Sequence, residues 1–173
     1  MGKPNVILFE GIRPLKTTLV LGIGNTLLAD EGVGIHTIHY LQNHHSTVEG
    51  VEYMDGGTLS FTLALPVEDA DQLIVIDAAQ MDTPPGTVRT FEGDEMDRFL
   101  NSGKRTPHEV SVSDLLAMAQ LTGRFPENRA LIGIQPQQLD WGDDPTPPVA
   151  QAIPVAAAEV LRLVNSWRAQ KVS

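Results

Sequence analysis

Three short, mostly apolar runs in this chain each give way to acid. Residues 18–23 lead through Gly24-Asn25 to Asp30-Glu31, residues 51–54 end at Asp55, and residues 73–76 end at Asp77. Runs of this length, the first and third almost continuously apolar, suit strands buried in a parallel sheet rather than strands with one wet face. If they are parallel neighbours, their carboxyl ends share one edge of the sheet, which is where open α/β sheets place their ligands. The pattern therefore predicts an α/β domain with an acidic rim.

Between the runs the apolar spacing changes to that of helices. Val33, Ile35, Ile38 and Leu41 recur at helical intervals after the first strand. Asp30 is placed to cap that helix, and Gly32 and Gly34 let its first turn lie close to a neighbour. After the turn Asp55-Gly56-Gly57, Thr58 is placed to cap an apolar stretch over 59–65. A weaker strand over 88–91, an amphipathic helix over 111–121 stopped by Gly123, and a buried strand over 130–134 follow. The last helix opens near Pro147 and runs to about Gln170, and Pro154 is expected to kink or split it, because proline offers no donor to the helical ladder. Val155, Val160, Leu161, Leu163, Val164 and Trp167 give that helix an apolar face. The expected architecture is a three-layer α/β sandwich with a mainly parallel sheet between helices, with residues 1–16 as an N-terminal extension and 17–173 as one domain.

Composition narrows the chemistry. The absence of cysteine excludes disulfides, thiolate zinc sites and a cysteine nucleophile together. A net charge of −10, from 22 acidic and 12 basic residues, repels phosphate backbones and anionic lipid surfaces, so neither nucleic acid nor membrane is an expected partner. A cationic, metal-bearing or protein partner fits better. No apolar run approaches the roughly 20 residues that span a bilayer, and the first residues are too short in their apolar part for a signal peptide. A cytoplasmic protein is expected, and nothing in so acidic a chain signals a large obligate interface, so a monomer is expected as well.

The motifs divide into those with a plain structural role and those without. Gly22-Ile23-Gly24-Asn25 follows a strand as a dinucleotide fingerprint would, but Leu27 stands where the third glycine belongs and Asp30-Glu31 would face the pyrophosphate. Glu31 in a first helical turn suits the helix dipole, and Asp55 suits the Gly56-Gly57 turn. His36 and His39 lie at i, i+3 on the first helix, more in the manner of a solvated flank than of a metal site. Asp77 ends a strand of four large apolar residues, so its carboxylate must be hydrated, hydrogen-bonded or metal-bound. His108 sits in the constrained segment Thr106-Pro107-His108-Glu109. That segment is no zincin motif, because valine stands where the second histidine is required, and no Gly-x-Ser-x-Gly elbow occurs. Glu31, Asp77 and His108 remain. Such oxygen and nitrogen donors suit a borderline divalent metal such as nickel or zinc, with a coordination position left open. On residues alone the chain is a metal-contacting α/β hydrolase or binding protein.

The run 21–34, Leu-Gly-Ile-Gly-Asn-Thr-Leu-Leu-Ala-Asp-Glu-Gly-Val-Gly, closely resembles the opening motif of the nickel-iron hydrogenase maturation endopeptidases. Asp55-Gly56-Gly57-Thr58, Ile76-Asp77-Ala78 and Thr106-Pro107-His108 agree with that family's later landmarks in order and approximate spacing, so the resemblance covers roughly residues 18–167. It implies a twisted five-stranded sheet between helices. It also implies an endopeptidase that removes a C-terminal peptide from the precursor of a hydrogenase large subunit once nickel has been inserted. The nickel so contacted belongs to the substrate, and no organic cofactor is implied. Glu31, Asp77 and His108 carry over as the metal-contacting residues, and Asp55 as a neighbouring acid that helps inspect the substrate. The acid-rich rim and the absence of a nucleophile motif point to a metal-assisted hydrolysis with Asp77 or Glu31 as general base. The competing expectation is a chaperone that senses the metal and holds the precursor without cutting it.

Overall fold

The computed structural model describes residues 15–102 and 110–170. Five strands form one sheet: β1 (Thr18–Gly22), β2 (Val51–Asp55), β3 (Gln72–Ala78), β4 (Val88–Glu92) and β5 (Asn128–Ile134). Their order is β2-β1-β3-β5-β4, with every neighbouring pair parallel except β4 against β5. The expected mainly parallel sheet is thus observed, with one antiparallel strand at its edge. The chain leaves β1 towards β2 on one side and later enters β3 on the other. The switch point of the topology therefore lies between the carboxyl ends of β1 and β3, where this class of sheet binds its ligands.

Helices cover both faces. Alternate strand residues Val20, Ile74, Ile76, Ile132 and Ile134 pack against α1 (Val33–His44) and α5 (Pro147–Ala169). Leu19, Leu21, Leu73, Val75 and Leu131 point the other way, to α2 (Ala64–Asp69), α3 (Asp94–Leu100) and α4 (Val112–Leu121). The period-2 alternation of the strands decides which layer each side chain joins. α5 is long and apolar enough to cross a bilayer by length and composition, but it lays eight buried residues, Val149 and Trp167 among them, on the sheet as a core helix does.

Four local expectations are corrected or extended. Asp30 caps no helix. It lies inside a 3-10 turn, Ala29–Gly32, that leads into α1, and its carboxylate is committed elsewhere. Thr58 caps nothing either, because the next helical turn, Phe61–Leu63, starts after Ser60 without a side-chain cap. Pro154 does not split α5, which runs unbroken from Pro147 to Ala169. One lost ladder bond, at about 3 kcal/mol, is outweighed by the apolar side chains that the helix buries on both sides of the proline. α3 was not anticipated, since its seven residues bury only Met96 and offer no apolar period to read. By contrast, Ser111 closes a full capping box with Asp114 at the start of α4, matching the expected helix.

Candidate active site

The carboxyl edge of the sheet is assembled by backbone packing so close that two glycines are obligatory. Gly34, in the first turn of α1, lies where a Cβ would come within 2.3 Å of the Ile76 carbonyl oxygen and 2.4 Å of that of Ile23. The helix start is thereby pressed directly onto the ends of β1 and β3. Gly24 adopts φ +143°, and a Cβ there would sit 1.8 Å from the Glu31 carbonyl oxygen. The loop after β1 thus folds back over its own far end, and the 3-10 turn is placed above the switch point. Ala29, next to the two acids, is held at φ 42°, a conformation costing a non-glycine residue about 1 kcal/mol or more.

Glu31 and Asp77 meet at this point. Glu31 is almost fully buried, in the 3-10 turn. Asp77 is the penultimate residue of β3, paired in register with Gly133 of β5. Its Oδ1 is covered and finds no hydrogen-bond partner among the described residues. Burial pushes the Asp77 carboxyl well above the usual carboxylate range. A hydrogen bond from the Ala78 backbone opposes that shift, and the negative charge of Glu31 adds to it. Two carboxylates converging in a desolvated place, one with an orphaned oxygen, repel each other unless a proton or a cation lies between them.

Asp55 ends β2 at the same edge, level with Gly22 of β1. It is exposed, and its Oδ1 accepts the Gly57 N–H at 2.8 Å, the local turn contact that suits an Asp-Gly-Gly sequence. The turn is stitched to the β1 loop by Gly56 N–H donating to Gly22 O and Gly24 N–H to Gly57 O, both at 2.8 Å. His108 lies outside the described residues. Among the described residues, no three His, Asp or Glu side chains cluster in a way that could hold a metal ion. Burial and His39 push the His36 imidazole down, while Asp144, on the loop after β5, pulls it up.

Asp30, the neighbour of Glu31, is fully buried, and its carboxylate is saturated. It accepts the backbone N–H groups of Gln137 (2.8 Å), Gln138 (2.9 Å) and Thr146 (2.6 Å), together with the Thr146 hydroxyl at 2.9 Å. Thr146 precedes the first turn of α5, so the charge also lies near the positive end of a 23-residue helix. Leu28 and Gly142 add an isolated parallel bridge, with Ala29 N–H donating to Gly142 O at 2.7 Å and Gly142 N–H to Leu27 O at 3.0 Å. The loop after β5 is thereby fastened to the turn that carries Glu31. Sequence reasoning missed this role of Asp30, and it missed Gln135. The Gln135 side chain, buried just past β5, accepts the Met81 N–H at 2.7 Å and so fixes the loop that follows Asp77. Neither residue carries a local signal, because both act on partners more than fifty positions away.

The family model of hydrogenase maturation proteases matches residues 35–163. The hydrogenase expression/formation protein HupD of Rhizobium leguminosarum bv. viciae is 38% identical over 158 residues, which is 91% of this chain and 78% of that protein. The hydrogenase 2 maturation protease of Escherichia coli K12 is 34% identical over 144 residues, 83% of this chain and 87% of that one. Among solved structures, the hydrogenase maturating endopeptidase HybD from E. coli is similar with a TM-score of 0.81 at 32% identity, over 87% of this chain and 93% of its own. The fold, the edge and these likenesses agree: the chain belongs to the hydrogenase maturation protease family and is an endopeptidase.

Proposed function

We propose that this endopeptidase removes a C-terminal peptide from the precursor of a nickel-iron hydrogenase large subunit after nickel insertion, in the cytoplasm, and that it recognises the nickel already held by its substrate. The observation that carries the reading is the convergence of Glu31 and Asp77 at the topological switch point, with Oδ1 of Asp77 buried and unpartnered among the described residues. A buried acid pair of this kind favours a divalent cation over water. His108 is the third ligand in this proposal. Docking of a cationic centre between the two carboxylates would draw the proton from Asp77 and lower the charge repulsion with Glu31, so a substrate that carries metal binds and one that lacks it does not.

The same pair supplies the acid–base chemistry. An ionised carboxylate takes a proton from a water as its oxygen adds to the scissile carbonyl carbon. The carboxyl then passes that proton to the amine nitrogen as the C–N bond breaks. Docking of the metal leaves the pair ionised, the state in which a carboxylate accepts that proton, and Asp77 or Glu31 serves as the base. Asp55 adds negative charge beside the incoming substrate while its Oδ1 keeps the turn in shape.

Intact-mass spectrometry of a large-subunit precursor, nickel-loaded and nickel-free, incubated with a trace of this protein tests the reading. Loss of a C-terminal peptide from the loaded form alone is expected. Equal cleavage of both forms would remove the metal from the recognition step.

A further inference from the structure

Three exposed apolar residues stand on the loops of the acidic edge, and the chemistry above does not use them. Trp141 is 79% exposed, Leu27 54% and Leu139 51%, in a chain whose other tryptophan, Trp167, is 3% exposed in the core. Leu27 belongs to the loop after β1, and Leu139 and Trp141 to the loop after β5. The Leu28–Gly142 bridge sets Leu27 and Trp141 on adjoining segments, and the saturated Asp30 carboxylate grips the backbone at Gln137, Gln138 and Thr146 on both sides of Trp141. The residue after this grip point is Glu31. The three apolar side chains are therefore borne on backbone tied to one acid of the reacting pair, and they do not hang from a free loop.

We propose that Leu27, Leu139 and Trp141 form a docking ridge for the protein substrate, seating apolar surface of the precursor beside the bond to be cut. The inference rests on the reading of Glu31 and Asp77 as the reacting edge. A protease must pass its substrate across that edge, and the ridge is continuous with it through Leu28, Ala29 and Asp30. A second copy of this chain is a poor occupant. Asp140, Asp143 and Asp144 flank Trp141 with exposed carboxylates, and each copy carries a net charge of −10. An exposed tryptophan on fastened backbone, with polar residues around it, is suited to act as a binding hot spot. The ridge would select substrates by their apolar surface, while the carboxylate pair selects by metal.

Steady-state processing of nickel-loaded precursor by wild type, Trp141→Ala, Trp141→Phe and Asp77→Asn separates the two readings. Trp141→Ala should raise KM about tenfold or more with kcat near wild type, and Trp141→Phe should restore most of the loss. In stopped-flow mixing with the same precursor, the emission of Trp141, taken as the difference between wild type and Trp141→Phe, should move to the blue before cleavage. Wild-type KM in Trp141→Ala, with Asp77→Asn inactive, would overturn the ridge and leave the reacting edge standing. Full processing by Asp77→Asn would overturn the edge itself, and the ridge with it.

Discussion

A carboxylate taken out of water without a partner for one of its oxygens costs free energy, and Asp77 carries that cost at the end of β3. The expense is local and separable from folding, which makes it testable at one residue. Asp77→Asn keeps the shape and removes the charge. It should abolish processing, leave the protein folded, and make the metal-free protein more heat-stable at neutral pH. The sign follows from the raised proton affinity. From the ordinary carboxylate range up to its raised value, the folded state holds a proton that the unfolded chain has released, so wild-type stability falls as pH rises through that window. The advantage of Asp77→Asn should accordingly be small near about pH 4 and widen towards neutrality. Thermal melts of both proteins across that range decide it, and parallel curves would show that burial of the charge costs nothing here.

At the scale of elements, the edge depends on α1 starting in contact with the ends of two strands. Gly34→Ala would drive a methyl group into the Ile76 and Ile23 carbonyls, which are backbone and cannot rotate away. The helix must lift, taking the 3-10 turn and Glu31 with it. We expect a loss of about 2 kcal/mol or more in urea unfolding and a fall of about a hundredfold in processing rate. Wild-type behaviour in both would mean that the close contact is dispensable. This element was legible in the sequence, because the glycines at 32 and 34 and the apolar spacing from Val33 to Leu41 point to a helix that starts tightly packed. The strands were legible for the same kind of reason: buried runs at fixed length leave few alternatives. α3 was not, since a short charged helix has no period. Asp30 read as a cap because caps are local, whereas its true partners lie 107 to 116 positions away. The loop after β5 has no periodicity at all, so nothing in it announced that Leu139 and Trp141 would stand exposed on backbone tied to the turn that carries Glu31.

Over the whole molecule, the active edge is a set of loops from four strands, and its precision has to come from ties between them. The Asp30 carboxylate is the longest-range of these ties. It joins the turn after β1 to the loop after β5 and to the start of α5, with every partner a donor in a part-buried contact to the fully buried carboxylate. Asp30→Ala would leave three backbone N–H groups and a hydroxyl, in part-buried contacts, without their acceptor, and a donor that stays dry costs about 1–3 kcal/mol. Asp30→Asn is no remedy, because its amide would turn N–H groups towards N–H donors. Both variants should therefore lose about 3 kcal/mol or more of stability in urea unfolding, and both should process precursor poorly even at temperatures where they stay folded. Hydrogen exchange gives the distinguishing readout. The Gln137, Gln138 and Thr146 amides should lose protection in either variant, while the central amides of β1 and β3 keep theirs under native conditions. If those three amides remain protected, the loop after β5 is held by something other than Asp30, and the coupling of Trp141 to Glu31 through it falls.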